Sequence, residues 1–276
     1  MPNRKSIVGG NWKMNLHVAE VTALSQALTR RWCSGDQVDV VIFPPFPYLT
    51  TAGPIIANTS IQLGAQDFYP EPNGAFTGEV SLSMLQDVGV RVALVGHSER
   101  RHVMSESDTL VNRKLRAALD RQFHVVLCVG ETIEQRQMNQ AEAIIAGQTQ
   151  FGLAGVDRGQ MARVTIAYEP VWAIGTGQTA TPGDAQAAHQ TIRHTLAVMF
   201  TGEVADSTRI QYGGSVKPEN APDLIAQADV DGFLVGGASL KADEFLAIVE
   251  ATAGYVQVSV TGSHLRGAPA PIRHSF

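Results

Sequence analysis

The sequence predicts a single-domain α/β fold, a closed (β/α)8 barrel. Three observations carry it: eight short runs rich in β-branched residues, amphipathic stretches of helical period between them, and runs that are continuously apolar rather than alternating. Continuous apolarity marks parallel strands buried on both faces, and every connection is long enough for a crossover. In chain order the strands are expected at 5–10 (KSIVGG), 38–43 (VDVVIF), 60–66 (SIQLGAQ), 91–96 (RVALVG), 124–130 (HVVLCVG), 164–169 (VTIAYE), 209–214 (RIQYGG) and 231–237 (DGFLVGG). Helical period covers 19–32, 107–122, 141–153, 182–200, 218–228 and 241–253. Eight βα units favour a closed barrel over an open doubly wound sheet. No Pro-rich, Ser-rich or charged linker divides the chain, so residues 1–256 are read as one barrel. Periodicity is lost after about Val256, and 257–276 is expected to be a loose C-terminal extension.

Bulk composition narrows the function classes. With 276 residues, 44% hydrophobic, 17% charged and a net charge of -5, the chain lacks the basic excess that nucleic acid requires. The N-terminus MPNRKSIVGG has no signal-peptide core and no apolar run reaches bilayer length, so no membrane partner and a cytoplasmic location are expected. Two cysteines, Cys33 and Cys128, are too few for a disulfide framework; Cys128, within HVVLCVG, reads as a small buried strand residue. No HExxH motif and no His pair at metal-site spacing occurs, so no catalytic metal is expected.

A barrel of this kind gathers reactive residues just after its strands, on the face of the βα loops. Asn11 and Lys13 follow the first strand, His97 and Glu99 the fourth, and Glu169 the sixth. Gly213, Gly214 and Ser215 follow the seventh, and Gly236 and Gly237 the eighth. Either glycine pair alone reads as a tight turn; two pairs on consecutive strand ends, one carrying Ser215, point to a phosphate held by backbone N–H groups. His97 is the histidine set in a glycine-flanked turn directly after a strand. His17, His102, His124, His189, His194, His264 and His274 read as structural. Glu99 reads as an ion-pair partner for Lys13 or Arg100. Glu169 precedes PVWAIGTGQTA, whose small-residue tip between stiffer ends suits a lid at 170–180. A carboxylate closed off from water is a competent base toward a carbon beside a carbonyl.

Read together, GNWKMN, GAFTGE, GHSERR, YEPVWAIGTG, YGGSV and DGFLVGGASL resemble the triosephosphate isomerase family from about Lys5 to about Ala253. The resemblance implies a single-domain TIM barrel that interconverts dihydroxyacetone phosphate and D-glyceraldehyde 3-phosphate, without cofactor or metal. It implies Glu169 as the base, His97 as the electrophile, and Lys13 with Asn11 as stabilisers of developing negative charge. Gly175, Ser215, Gly236 and Gly237 would hold the phosphate, with Ser98 and Glu99 in supporting places. It also implies a homodimer through the loop around residues 66–79, with Thr77 reaching toward the neighbouring Lys13 and Asn11. Phe68, Tyr69 and Phe76 on that loop are apolar groups in need of a cover. Asp67, Met104, Ser105 and Gln178 depart from the family's usual residues, and Asp67 is expected to add a charge near the interface. Two other readings are weighed, a different phosphate-binding barrel such as an epimerase or an indole-glycerol-phosphate type lyase, and a non-catalytic barrel. The intact set of Lys13, His97 and Glu169 counts against both.

Overall fold

The computed structural model describes residues 4–32, 36–174 and 179–263, with 256–263 as backbone only. Eight parallel strands close in chain order: β1 (Ser6–Asn11), β2 (Val38–Phe43), β3 (Ile61–Ala65), β4 (Val92–Val95), β5 (His124–Val129), β6 (Val164–Tyr168), β7 (Arg209–Tyr212) and β8 (Gly232–Val235). Every expected strand is present. The seam is the β1–β8 pairing, with Ile7 opposite Gly232 and Gly10 opposite Val235.

Around the barrel run α1 (Val18–Arg31), α2 (Leu49–Ile56), α3 (Leu82–Asp87), α4 (Ser98–His102), α5 (Asp108–Asp120), α6 (Ile133–Gln137), α7 (Ala141–Gly152), α8 (Pro182–Met199), α9 (Gly202–Ser207), α10 (Ala221–Ile225) and α11 (Ala242–Ser263). The long helices lie where helical period predicts them. The start of α8 carries its own signal: Thr181 accepts from the Asp184 N–H, Asp184 caps Thr181 in return, and Pro182 fills the first turn. At the other end α11 continues to Ser263, beyond the expected stop at Val256. No proline occurs between Pro222 and Pro269, and extending a formed helix through Val and Thr costs little per residue. Residues 264–276 lie outside the described residues.

Two apolar layers hold the fold. The outer one packs strands against helices and includes Trp12, Leu28, Leu115, Tyr168, Tyr212 and Phe245. The inner one fills the barrel with Ile7, Val41, Phe43, Leu94, Cys128 and Leu234. Phe43 sets the terms there: a methyl group on Gly64 would lie 2.3 Å from its ring, and one on Gly9 would lie 3.0 Å away. Small residues on β1 and β3 thus make room for one large ring from β2. Below it, the buried Gln211 amide donates to Phe233 O at 2.8 Å and Ile7 O at 3.3 Å. At the N-terminal end Arg4 pairs with Asp231 at 2.5 Å, while Arg193 reaches Asp229 at 2.6 Å and Asp231 at 3.1 Å. Among the described residues, no helix is long and apolar enough to cross a membrane.

His189 on α8 is structural, as expected. It is fully buried, stands edge-on to Tyr168, and makes a 2.8 Å hydrogen bond between Nδ1 and Asp229 O. Burial holds its pKa down to about 4, so the folded state keeps the ring neutral while the unfolded chain protonates near 6.5. The folded pKa being the lower, this contribution is complete above about pH 6.5 and is lost as pH falls toward 4. The loss should approach about 1.4 kcal/mol per pH unit. Urea unfolding of wild type and His189→Gln between pH 4.5 and 7 tests this: the wild-type slope should be steeper by about one proton, and equal slopes would refute it.

Candidate active site

The ends of β1, β4, β6, β7 and β8 surround one cleft of about 890 Å³. Asn11, Lys13, His97, Glu99, Glu169, Ser215, Gly236 and Gly237 all line it. Glu169 follows β6 directly and is only 2% exposed. Its Oε1 lies 2.9 Å from His97 Nε2, and its Oε2 accepts the Ser98 N–H at 2.8 Å. Burial pushes its pKa up; the charge and hydrogen bond of His97, the Ser98 N–H and the charge of Lys13 outweigh this and leave it below the ordinary value. Burial likewise favours a neutral His97, and Glu169 more than offsets that, so the imidazole pKa lies above 6.5. The His97 Nδ1 accepts the Glu99 N–H at 3.2 Å. Nδ1 therefore carries no proton, and Nε2–H points at Glu169.

Glycine makes this burial feasible. A methyl group on Gly130, just after β5, would stand 1.7 Å from Glu169 O, and one on Gly213 would stand 3.0 Å from Glu169 Cγ. Gly214 is confined too, by the Tyr212 hydroxyl at 2.1 Å from such a methyl group. Gly237 faces open space. It opens a 3-10 turn, Gly237–Leu240, after β8. Among the described residues the N–H groups of Ser215 and Gly236 donate to no backbone carbonyl.

Lys13 sits in the left-handed region at φ 50°, unusual for a residue with a side chain. Its Nζ meets Glu99 Oε1 at 2.6 Å, and its N–H donates to Asn11 Oδ1 at 3.0 Å. A methyl group on Gly236 would lie 3.9 Å from that ammonium. Lys13 thus faces both the carboxylate side and the glycine side of the cleft. Between the two partners expected for Glu99, the structure selects Lys13.

Arg100 belongs elsewhere. It pairs with Glu106 at 2.5 Å and Asp67 at 2.9 Å, while Lys114, 2% exposed, pairs with Asp67 at 2.5 Å and also with Glu106. Asp67 is 7% exposed, and its charge is paired within its own chain, two carboxylates facing two cations. Thr77 is exposed and does not line this chain's cleft. Gly175 and Gln178 lie outside the described residues.

Before them, Val171–Ala173 forms a 3-10 turn. Trp172 Nε1 donates to the buried Glu131 at 2.8 Å and Tyr168 Oη does so at 3.1 Å, with Arg136 4.6 Å from the indole. Glu131, Gly130 and Arg101 went unread in the sequence. Arg101 donates to Gly96 O and Cys128 O, bracing the turn that carries His97. Its visible signal is the second arginine of GHSERR. Cys128 is buried, and burial with the neighbouring Glu169 charge pushes its thiol pKa well up. Among the described residues no group of His, Cys, Asp and Glu is placed to hold a metal ion.

Comparison with known proteins gives the family. The family model for triosephosphate isomerase matches residues 6–252. The chain is 51% identical to the triosephosphate isomerase of Chloroflexus aurantiacus over 246 residues, 89% of this chain and 98% of that one. It is 52% identical to that of a Roseiflexus species, over 89% of this chain and 97% of the relative, and 47% identical to that of Rhodopirellula baltica, over 90% and 98%. The match spans all eight strands and every strand end that lines the cleft. The chain belongs to the triosephosphate isomerase family.

Proposed function

We propose that Glu169 performs the family's interconversion of dihydroxyacetone phosphate and D-glyceraldehyde 3-phosphate by carrying one proton between two adjacent carbons. The observation that carries this reading is the 2.9 Å contact between His97 Nε2 and Glu169 Oε1 inside a cleft that also holds Lys13. Before substrate binds, that contact stabilises the carboxylate. A substrate carbonyl arriving at His97 Nε2–H takes the hydrogen bond away from Glu169 and leaves a desolvated, more basic carboxylate beside the carbon to be deprotonated. Polarisation by His97 lets the departing electron pair settle on oxygen, and Lys13 and Asn11 stabilise the resulting enediolate. His97 Nε2 gives its proton to the oxygen it polarises and takes one back from the neighbouring hydroxyl, and return of the carbon-bound proton from Glu169 to the neighbouring carbon completes the isomerisation. No electron leaves the substrate, so the step needs no redox cofactor.

The N–H groups of Ser215, Gly236 and Gly237 are suited to the phosphate, which fixes the reacting carbons relative to Glu169. We assign closure over the substrate to residues 170–180, hinged at the Trp172–Glu131 contact, with Gly175 joining the phosphate donors. Closure would exclude water and suppress loss of phosphate from the enediolate. Beside the cleft, a second hollow of about 300 Å³ is lined by Met14, Phe46, Gln66, Asp67, Arg100 and Met104 among others. Met14, Val103 and Met104 are 95%, 69% and 62% exposed, a grouping that fits the loop 66–79 of a second copy, carrying Thr77.

A coupled assay with D-glyceraldehyde 3-phosphate should show rapid turnover, with kcat lower by about 10²–10⁴-fold in Glu169→Gln. A folded Glu169→Gln protein with wild-type kcat would remove Glu169 from its role. Ser215→Ala, which keeps the N–H and removes the hydroxyl as an extra donor, should leave kcat nearly unchanged and raise KM and the inhibition constant of inorganic phosphate on the order of tenfold; an unchanged inhibition constant would take the Ser215 hydroxyl out of phosphate binding. Sedimentation equilibrium should give twice the chain mass for wild type and a shift toward monomer for Met14→Asp, and a monomeric wild type would end the dimer proposal.

A further inference from the structure

We infer that Gln66 is a positioning residue for Lys13, acting on its backbone; the inference rests on the isomerase reading, in which Lys13 meets the substrate's charge. The Gln66 Nε2 donates to Lys13 O at 2.8 Å and to Phe43 O at 2.9 Å. Two carbonyl acceptors require the NH₂ end of the amide, so its orientation is fixed. Phe43 O also accepts the Trp12 N–H at 3.2 Å. Gln66 therefore fastens the exit of β1 to the end of β2 from the residue that follows β3.

Lys13 needs such a fastening. Its φ of 50° is disfavoured for a residue bearing a Cβ and persists only where neighbours impose it. Asn11 holds the N–H side of the residue at 3.0 Å. Among the described residues Gln66 alone holds the carbonyl side. With that bond gone, the backbone is free to relax to negative φ, which turns the Cα–Cβ direction and carries the ammonium away from Glu99 and Gly236. Gln66 is itself held from below, because Asp67 next to it is locked into the buried cluster with Lys114, Arg100 and Glu106. Gln66 does not line the main cleft. It does line the second hollow, and the cycle in the Lys13→Met background separates an effect through Lys13 from one through that hollow.

The test is a double-mutant cycle on the full chain, comparing wild type, Gln66→Met, Lys13→Met and the double variant, with melting temperature followed throughout. Each protein is read twice, by kcat/KM and by the dissociation constant of inorganic phosphate from calorimetry. Gln66→Met should lower kcat/KM on the order of ten- to hundredfold and weaken phosphate several-fold in the Lys13 background. In the Lys13→Met background both effects should shrink below about twofold. Gln66→Glu, which keeps the length but loses the donor, should be at least as damaging as Gln66→Met. Equal losses in both backgrounds, or wild-type behaviour of Gln66→Glu, would overturn the inference. A folded wild type without turnover would defeat the isomerase reading alone, since the phosphate cycle still decides whether Gln66 acts through Lys13.

Discussion

A carboxylate at the end of β6 that is almost wholly removed from water is the constraint on which this site depends. Left unpaired, a buried charge would cost several kcal/mol or take up a proton. Three features prevent this. His97 brings Nε2–H to one oxygen, the first N–H of α4 serves the other, and Gly130 and Gly213 let neighbouring strands close in without displacing the residue. His97 and Ser98 follow β4, Gly130 follows β5 and Gly213 follows β7. Only a closed parallel barrel brings those ends together, so the fold and the ionisation state of Glu169 are parts of one problem.

The same rule of compensated charge governs the neighbouring β3 loop. Asp67 and Glu106 face Arg100 and Lys114 in equal number, and the cluster fixes the backbone from which Gln66 reaches Lys13. An aspartate there is a buried component of the scaffold. Its charge stabilises Lys114 and Arg100 where they stand rather than acting on solvent.

Much of this was legible in the sequence, for identifiable reasons. Strands were visible because apolar β-branched runs of four to six residues have no helical explanation, and Glu169, His97 and Lys13 stood out because each lies within two residues of the end of such a run. The short helices escaped notice; α4 and α6, five residues each, are too brief to display a period of 3.6. Contacts bridging distant strands escaped as well. Gln66 lies 53 positions from Lys13, and Lys114 lies 47 from Asp67. Sequence displays the charge of Asp67 but not the cation that buries with it. The glycines divide the same way: Gly213 and Gly214 are tight because side chains press on them, while Gly237 opens onto the cleft, and the letters GG are identical in both places.

The seam between β1 and β8 carries a consequence for how the chain is made. Arg4 and Asp231 pair across 227 positions, and Ile7 finds its second neighbour only at Gly232. On a ribosome the first strand therefore waits, with one backbone edge unpaired, until nearly the whole domain has emerged. Such an edge invites pairing with other nascent chains. Ring closure is the last native step available, and a polypeptide truncated shortly before residue 232 would keep seven strands and the carboxylate of Glu169 yet expose two sticky edges. Protection from aggregation thus arrives with the final βα unit.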